Sequence, residues 1–376
     1  MTVYLDCNAT TPIEPGVREA VLRYMVEEFG NAGSHTHELG VRAQAAVARA
    51  RAEVAAVVDA RADEVVFTSG ATESDNLALL GLAAYGESAA RCHVVSTAIE
   101  HSAVLGPLAA LEARGFEVTR VLPTPGGWVD PDEVLAAVRA DTLAVSVMHA
   151  NNETGVLQPV VEIAERLAES AAYLHVDAAQ SFGKEIEPLR HPRIDLISVS
   201  GHKLFAPKGV GALIARRRGR QRPPLRPLMF GGGQERGLRP GTVPVHLVVG
   251  LGVAATGALR EAGERAAACR TFRERALSAL GPLEPRLHGD ASRALPHVLN
   301  LSFAGVDADA LMVAWRGLVA VSSGAACTAT ERTVSHVLAA MGLPEEAARG
   351  AVRLSWSHQT PEPDWAQVVE AVRLLR

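Results

Sequence analysis

Short β-rich runs alternate with longer helical stretches through the first two-thirds of the chain. The runs are rich in Val, Ile, Leu and Thr and are bounded by small or polar residues, a pattern that predicts buried strands. The predicted strands are Val65–Thr68, His93–Thr97, Phe116–Val121, Thr142–Met148, Tyr173–Asp177, Ile194–Val199 and Gly211–Ala215.

The segments between these strands have the apolar spacing of helices, as in Ser102–Arg114, Pro131–Arg139 and Pro159–Ser170. Strand–helix alternation is typical of an α/β fold with a mostly parallel sheet covered by helices on both faces. Ligands bind such sheets at the carboxyl ends of the strands. The residues that directly follow each strand are therefore the first candidates for a functional site.

Helical patterns also occur outside this region, at Pro15–Phe29, at Glu38–Val58 and near residues 246–280 and 333–349. The last two flank short apolar runs such as Val298–Phe303, so the chain after Gly241–Pro244 predicts a smaller α+β domain. We expect a large domain over residues 16–255, a small C-terminal domain over residues 256–376, and an N-terminal segment, residues 1–15, that joins the small domain.

Composition narrows the choice of function. The 376 residues, 48% of them hydrophobic, suffice for two domains, and a net charge of -5 gives no general reason to expect nucleic acid. The basic run Arg216–Arg226 contains no aromatic residue and is interpreted as solvated surface. We expect no membrane span and no signal peptide, because no apolar run is long enough and the N-terminus lacks the required pattern. Four scattered cysteines indicate a reducing cytoplasm.

Only three of the 37 basic residues are lysines: Lys184, Lys203 and Lys208. Lysine, unlike arginine, can lose its proton and form a Schiff base. Lys203 follows the predicted strand Ile194–Val199, and Asp177 ends the preceding strand. An acid and a lysine at successive strand ends favour a cofactor with a protonated ring nitrogen and an aldehyde, although a helix cap and a surface lysine are the simpler alternatives.

Two further segments carry candidate chemistry. The small residues of Thr68–Asn76 lie between a strand and a helix, where backbone N–H groups can approach a phosphate. The segment Ser322–Thr330 has no bulky side chain and carries Cys327, which predicts a mobile loop with a nucleophilic thiol. Cys92 and Cys269 are interpreted as small buried hydrophobes, and the role of Cys7 stays open.

Eight motifs in order resemble those of cysteine desulfurases, in the group that serves nitrogenase and iron–sulfur cluster assembly. They are YLDCNATTP, FTSGATESDNLA, EHSAV, NNETGVLQP, HVDAAQSFGK, SGHKLFAPKGVGAL, GGGQERGLRPGT and SSGAACT, and the resemblance runs from about Tyr4 to about Ser355. It implies a homodimer with the type I fold of pyridoxal-phosphate (PLP) enzymes. It also implies L-cysteine as substrate, a sulfur-acceptor protein such as an iron–sulfur scaffold, and no nucleic-acid or membrane partner.

The resemblance further implies a role for each matching residue. Catalysis is implied for Lys203, which would carry PLP, for His101, which would stack on its ring, and for Cys327, which would accept sulfur. No resident metal is implied, although Cys327 could ligate a partner's iron–sulfur cluster transiently. Cofactor contacts are implied for Ala71, Thr72, Asn152, Asp177, Gln180, Ser200, His202 and, from the other subunit, Thr242. Substrate contacts are implied for Asn152, Arg353 and Asn31.

The chain departs from the family pattern at Ala32–Gly33, at Ala206, after Cys327 and at Trp356–Thr360. These departures concern the acceptor protein and the behaviour of loop 322–332 more than the core chemistry. Three alternatives stay open. A selenocysteine lyase would use almost the same residues, another type I PLP lyase or aminotransferase would not need the Cys327 thiol, and a non-catalytic sulfur carrier would not need Lys203, Asp177 and His101 together.

Overall fold

A computed structural model describes residues 2–323 and 334–376. The strands in these ranges are β1 (Val3–Tyr4), β2 (Val65–Thr68), β3 (His93–Thr97), β4 (Glu117–Val121), β5 (Thr142–Met148), β6 (Tyr173–Asp177), β7 (Leu196–Ser200), β8 (Gly211–Ala215), β9 (Arg286–Leu287), β10 (Val298–Ser302), β11 (Val319–Ala320), β12 (Ser322–Ser323) and β13 (Val352–Ser355). The helices are α1 (Pro15–Val26), α2 (Glu38–Val57), α3 (Ala71–Ser88), α4 (Ser102–Glu112), α5 (Pro131–Ala136), α6 (Val160–Arg166), α7 (Val245–Leu280), α8 (Ala308–Ala314), α9 (His336–Ala340), α10 (Glu345–Arg349) and α11 (Trp365–Arg373).

The large sheet has the strand order β2-β8-β7-β6-β5-β3-β4. Its neighbouring strands from β7 to β4 are parallel, and β8 runs antiparallel between β7 and β2. The mostly parallel α/β sheet predicted from the alternating pattern is confirmed. Strands β2, β3, β5, β6 and β8 have the predicted bounds, because continuous apolar runs flanked by turns mark strands buried on both faces.

One apolar cluster packs α2, α6 and the first part of α7 against one face of this sheet, and another packs α3 and α4 against the opposite face. A separate cluster joins the small sheet β12-β13-β10-β9 to the end of α7, to α8 and to α11. The N-terminal segment reaches this second region, since β1 pairs with β11. The proposed division at residue 255 falls inside α7 and stays a prediction.

The single helical stretch predicted at residues 333–349 is wrong where the structure describes it, because α9 and α10 are two short helices. Gly342 between them has φ +76°, and Pro344 precedes α10. A left-handed glycine ends one helix, and a proline suits the start of the next.

The basic run Arg216–Arg226 is also less solvated than expected. Arg216 is buried and donates to the carbonyl groups of Val58, Leu189 and His191. The Arg218 Nε lies 2.7 Å from Oδ1 of Asp195. The interpretation as solvated surface is therefore wrong for Arg216. Its guanidinium donates to backbone carbonyl groups that are distant in sequence, and the sequence pattern does not reveal these partners.

Among the described helices, one is long and apolar enough to cross a membrane by length and composition: the stretch Val245–Leu283, which contains α7. Within the protein, 56% of its most apolar window is buried. Its first half packs on α1 and α2, so its apolar side chains belong to the core of the large sheet.

Candidate active site

A cavity of about 510 Å³ opens at the carboxyl ends of the parallel strands of the large sheet. Parallel strands end at the same edge, so residues far apart in sequence converge there. Nine predicted site residues line this cavity: Ala71, Thr72, His101, Asn152, Asp177, Gln180, Ser200, His202 and Lys203.

Lys203 and Asp177 both line the cavity and influence each other electrostatically. Burial lowers the pKa of Lys203 to about 8, against the opposing influence of the Asp177 charge. Burial also raises the pKa of Asp177 to about 6, and its Oδ1 accepts a hydrogen bond of 2.8 Å from the backbone N–H of Ala179. The amine is thereby closer to its neutral, nucleophilic form, while the carboxyl stays available to a cationic partner.

The N-terminus of α3 forms one end of the cavity. Its N-cap is Gly70, which has no side chain to cap the helix, and Ala71 and Thr72 line the cavity. Gly70 has φ +156° and open space where a Cβ would stand. The 18-residue helix therefore directs first-turn N–H groups and the positive end of its dipole toward the cavity, a suitable environment for a phosphate.

His101 is the N-cap of α4, and its Nδ1 accepts a hydrogen bond of 3.1 Å from the backbone N–H of Ala103. Burial, with the nearby Lys203 charge, lowers the pKa of His101. An accepting Nδ1 in a neutral ring leaves the proton on Nε2. The ring is thus held in one tautomer at the wall of the cavity.

Asp75 and Glu100 are two buried carboxyl groups that the sequence analysis missed. Asp75 lines the cavity, and its Oδ1 lies 3.4 Å from Nε2 of His175. Burial raises the pKa of Asp75 to about 7 and that of Glu100 to about 8. Asp75 follows the first turn of α3, at a position where an acid on a helix is usually solvated, and only tertiary packing buries it.

The N-terminal segment supports the cavity through Asn8. The Asn8 Nδ2 donates to the backbone carbonyl of Asn152 (3.0 Å), and the backbone carbonyl of Asn8 accepts from Nε2 of Gln180 (3.0 Å). The Oε1 of Gln180 is buried and has no hydrogen-bond partner among the described residues. One polar atom of the cavity wall therefore stays available to a ligand.

Three predicted site residues lie outside this wall. The Arg353 Nη1 donates to the backbone carbonyl of Asn152 (2.9 Å) but is not among the lining groups. The Oδ1 of Asn31 accepts a hydrogen bond of 2.8 Å from the backbone N–H of Gly33 in the same loop. Thr242 is exposed. The structure brings neither Asn31 nor Thr242 to the cavity within one chain.

Cys327 lies outside the described residues. The other cysteines are free thiols: Cys7 and Cys269 are buried, and Cys92 is half-buried. Burial raises the pKa of Cys7 and raises that of Cys269 to about 11. The interpretation of Cys269 as a buried hydrophobe is confirmed, and neither buried thiol has the thiolate character of a nucleophile.

Comparisons with known proteins give the family of the chain. The class-V aminotransferase family model matches residues 3–366. A "Cysteine desulfurase IscS" of Vibrio cholerae is 42% identical over 377 residues, covering 100% of this chain and 92% of the relative. One of Anaeromyxobacter dehalogenans is 45% identical over 380 residues, covering 100% and 93%.

Solved structures are similar over almost the whole chain. DndA from Streptomyces lividans is 50% identical with a TM-score of 0.83, covering 93% of this chain and 98% of that one. A NifS-like protein is 35% identical with a TM-score of 0.90, covering 100% and 98%. The strand-end cavity, the inward lysine and acid, and these likenesses together place the chain in the class-V aminotransferase family, among its cysteine desulfurases.

Proposed function

We propose that the chain removes sulfur from L-cysteine with the help of PLP, releasing L-alanine and leaving the sulfur as a persulfide on Cys327. The observation that carries the proposal is the pairing of Lys203, with its lowered pKa, and Asp177 in one cavity that ends at an open helix N-terminus. A structure titled "SspA in complex with cysteine", 35% identical with a TM-score of 0.84, supports the substrate.

The residues present fit PLP. The first turn of α3, with Ser200 and His202, would hold the phosphate, and the unpartnered Oε1 of Gln180 would meet a polar group on the ring. Asp177 would face the ring nitrogen, and Lys203 would carry the aldehyde carbon. When bound, PLP withdraws electrons from the substrate α-carbon.

Proton transfer then falls to the chain's own side chains. Lys203, with a pKa of about 8, can accept the α-proton at Nζ and return it later. Asp177 stabilises positive charge on the ring nitrogen that it would face. His101 exchanges a proton at Nε2 with the reacting thiol. Burial strengthens each of these electrostatic interactions, because few water dipoles remain to screen them.

Sulfur transfer needs a second nucleophile, for which we propose Cys327. Its thiolate attacks the substrate sulfur, an S–S bond forms, and the Cβ–S bond breaks with its electron pair left on carbon. A proton on that carbon completes L-alanine. The buried Cys7 and Cys269 are poorly suited to this step, since burial raises the pKa of each thiol.

Incubation of the holoenzyme with L-cysteine should release alanine and load one sulfur atom on the peptide that contains Cys327. Alanine quantification and mass spectrometry of that peptide measure both products. Turnover of L-selenocysteine without added mass at Cys327, and no turnover of L-cysteine, would instead establish the selenocysteine lyase alternative.

Replacement of Asp177 by Asn should slow alanine formation by about 10²–10³-fold while leaving PLP bound. The amide keeps the shape of the side chain but cannot supply the negative charge opposite the ring nitrogen. Steady-state kinetics and cofactor absorbance measure the two effects. Near-normal turnover by Asp177→Asn would contradict the proposed role.

We further propose a homodimer whose partner contributes Thr242 to the cavity. Large apolar side chains are exposed along and just after α1, at Leu22, Met25, Val26 and Phe29. This spacing places them on one helix face, the pattern of a covered surface. Phe230, in the segment that leads to Thr242, is 89% exposed.

The change Val26→Asp should convert the dimer into a monomer that binds PLP more weakly. A buried charge at an apolar interface is costly to desolvate. Leu122→Asp alters an equally exposed leucine elsewhere on the surface and should leave the dimer intact. Light scattering measures the mass, and a fully active monomer of either variant would overturn the proposal.

A cytoplasmic enzyme that delivers its sulfur to an acceptor protein, such as an iron–sulfur scaffold, completes the proposal. The free thiols of Cys7, Cys92 and Cys269 suit a reducing compartment. A persulfide also needs a second thiol to receive its sulfur, and protein cysteines supply such thiols.

A further inference from the structure

Arg353 is held by Asp6, a charged residue to which the family resemblance assigns no role. Its Nη2 donates to Oδ1 of Asp6 (2.7 Å) and to Oγ of Ser322 (3.1 Å). The Ser322 hydroxyl in turn donates to Oδ1 of Asp6 (2.8 Å). The other terminal nitrogen, Nη1, donates to the carbonyl of Asn152. The guanidinium is therefore fixed from two sides, by a carboxylate and by the cavity wall.

This arrangement leaves one part of the guanidinium free. The Nε of Arg353 is buried and has no hydrogen-bond partner among the described residues. The side chains of Arg353 and Asp6 retain only 10% and 19% of their exposure, so water screens the pair weakly. A buried donor without an acceptor is unfavourable, and it suggests that a further acceptor binds there.

We propose that Asp6 is a positioning residue that sets the affinity of Arg353 for the substrate carboxylate, an inference that rests on the proposed function. Asp6 aims the guanidinium and neutralises part of its charge. The incoming carboxylate therefore meets a cation that is already partly paired. Binding is correctly oriented yet weaker than a free arginine would give, which lets the product carboxylate leave.

A simple structural tie between the N-terminal segment and β13 is the competing explanation. The two readings differ in their response to charge and to shape. Asn at position 6 keeps the acceptor oxygen but removes the charge, whereas Ala removes both. A structural tie is weakened by both changes in the same direction, but a positioning residue that also competes for Arg353 responds to them with opposite signs.

The measurement is the dissociation constant of L-alanine and of L-alaninamide, which lacks the carboxylate, for the PLP-loaded protein. Relative to wild type, Asp6→Asn should bind L-alanine about fivefold to tenfold more tightly, and Asp6→Ala about tenfold more weakly. L-Alaninamide affinity should change less than twofold in both. Thermal unfolding of each variant verifies that it is folded.

Glu14→Gln is the matched control. Glu14 also belongs to the N-terminal segment, and its Oε1 lies 2.9 Å from Nη2 of Arg265 in a pair of similar burial. This variant should leave the affinity ratio of the two ligands unchanged. Equal weakening by Asp6→Asn and Asp6→Ala, in variants that remain folded, overturns the role of Asp6. Equal binding of both ligands by wild type instead removes the carboxylate clamp, and with it that part of the proposed function.

Discussion

Lys203→Ala is expected to lower alanine formation from L-cysteine by about 10⁴-fold or more, since the same amine would carry the cofactor and move the α-proton. The lowered pKa of Lys203, about 8, comes from burial and depends on its place in the cavity. Borohydride reduction of the wild type should attach PLP to the peptide that contains Lys203. The variant should show no such attachment.

Lys203→Arg is the matched variant for charge. The guanidinium keeps a positive group opposite Asp177 but does not lose its proton, so activity should fall as far as with alanine. Activity within tenfold of wild type for Lys203→Arg would show that the cation alone suffices. A PLP adduct at Lys184 or Lys208 in the wild type would assign the covalent role to another lysine.

Cys327→Ser is expected to bind PLP and L-cysteine as the wild type does and to form alanine at least about 10³-fold more slowly. A hydroxyl is a far poorer nucleophile toward sulfur than a thiolate, while cofactor and substrate binding use other groups. Cofactor absorbance on addition of L-cysteine measures binding, and alanine release measures sulfur removal. The two measurements should separate in this variant.

Cys92→Ser is the control because Cys92 is the least buried cysteine among the described residues. It should retain activity within about twofold, as most substitutions away from a site do. Sulfur found on Cys7, Cys92 or Cys269 instead of Cys327, or normal turnover by Cys327→Ser, would remove Cys327 from the mechanism. The selenocysteine lyase alternative would then describe the site better.

Local patterns predicted the lysine, the acid and the phosphate segment of the site because these residues follow strands, whereas the family resemblance implied the other lining residues. Asp177 ends β6, and Lys203 comes three residues after β7. Continuous apolar runs predict such strands, and because the strands are parallel their carboxyl ends lie at one edge of the sheet. The prediction of one helix over 333–349 was wrong because Gly342 and Pro344 interrupt it. The prediction rested on apolar spacing and took no account of these two residues.

The sequence was sufficient for the fold class, the scarce lysine and the candidate thiol, since each depends on residue type and local spacing. It was not sufficient for the environment of a charge. Asp75 and Arg216 are polar residues in unremarkable local patterns, yet both are buried. Asp6 and Arg353 are separated by 347 positions and meet only because β1 and β13 both belong to the smaller region of the fold. Burial and long-range pairing set the pKa values and orientations of these groups, and both arise only when distant segments pack together.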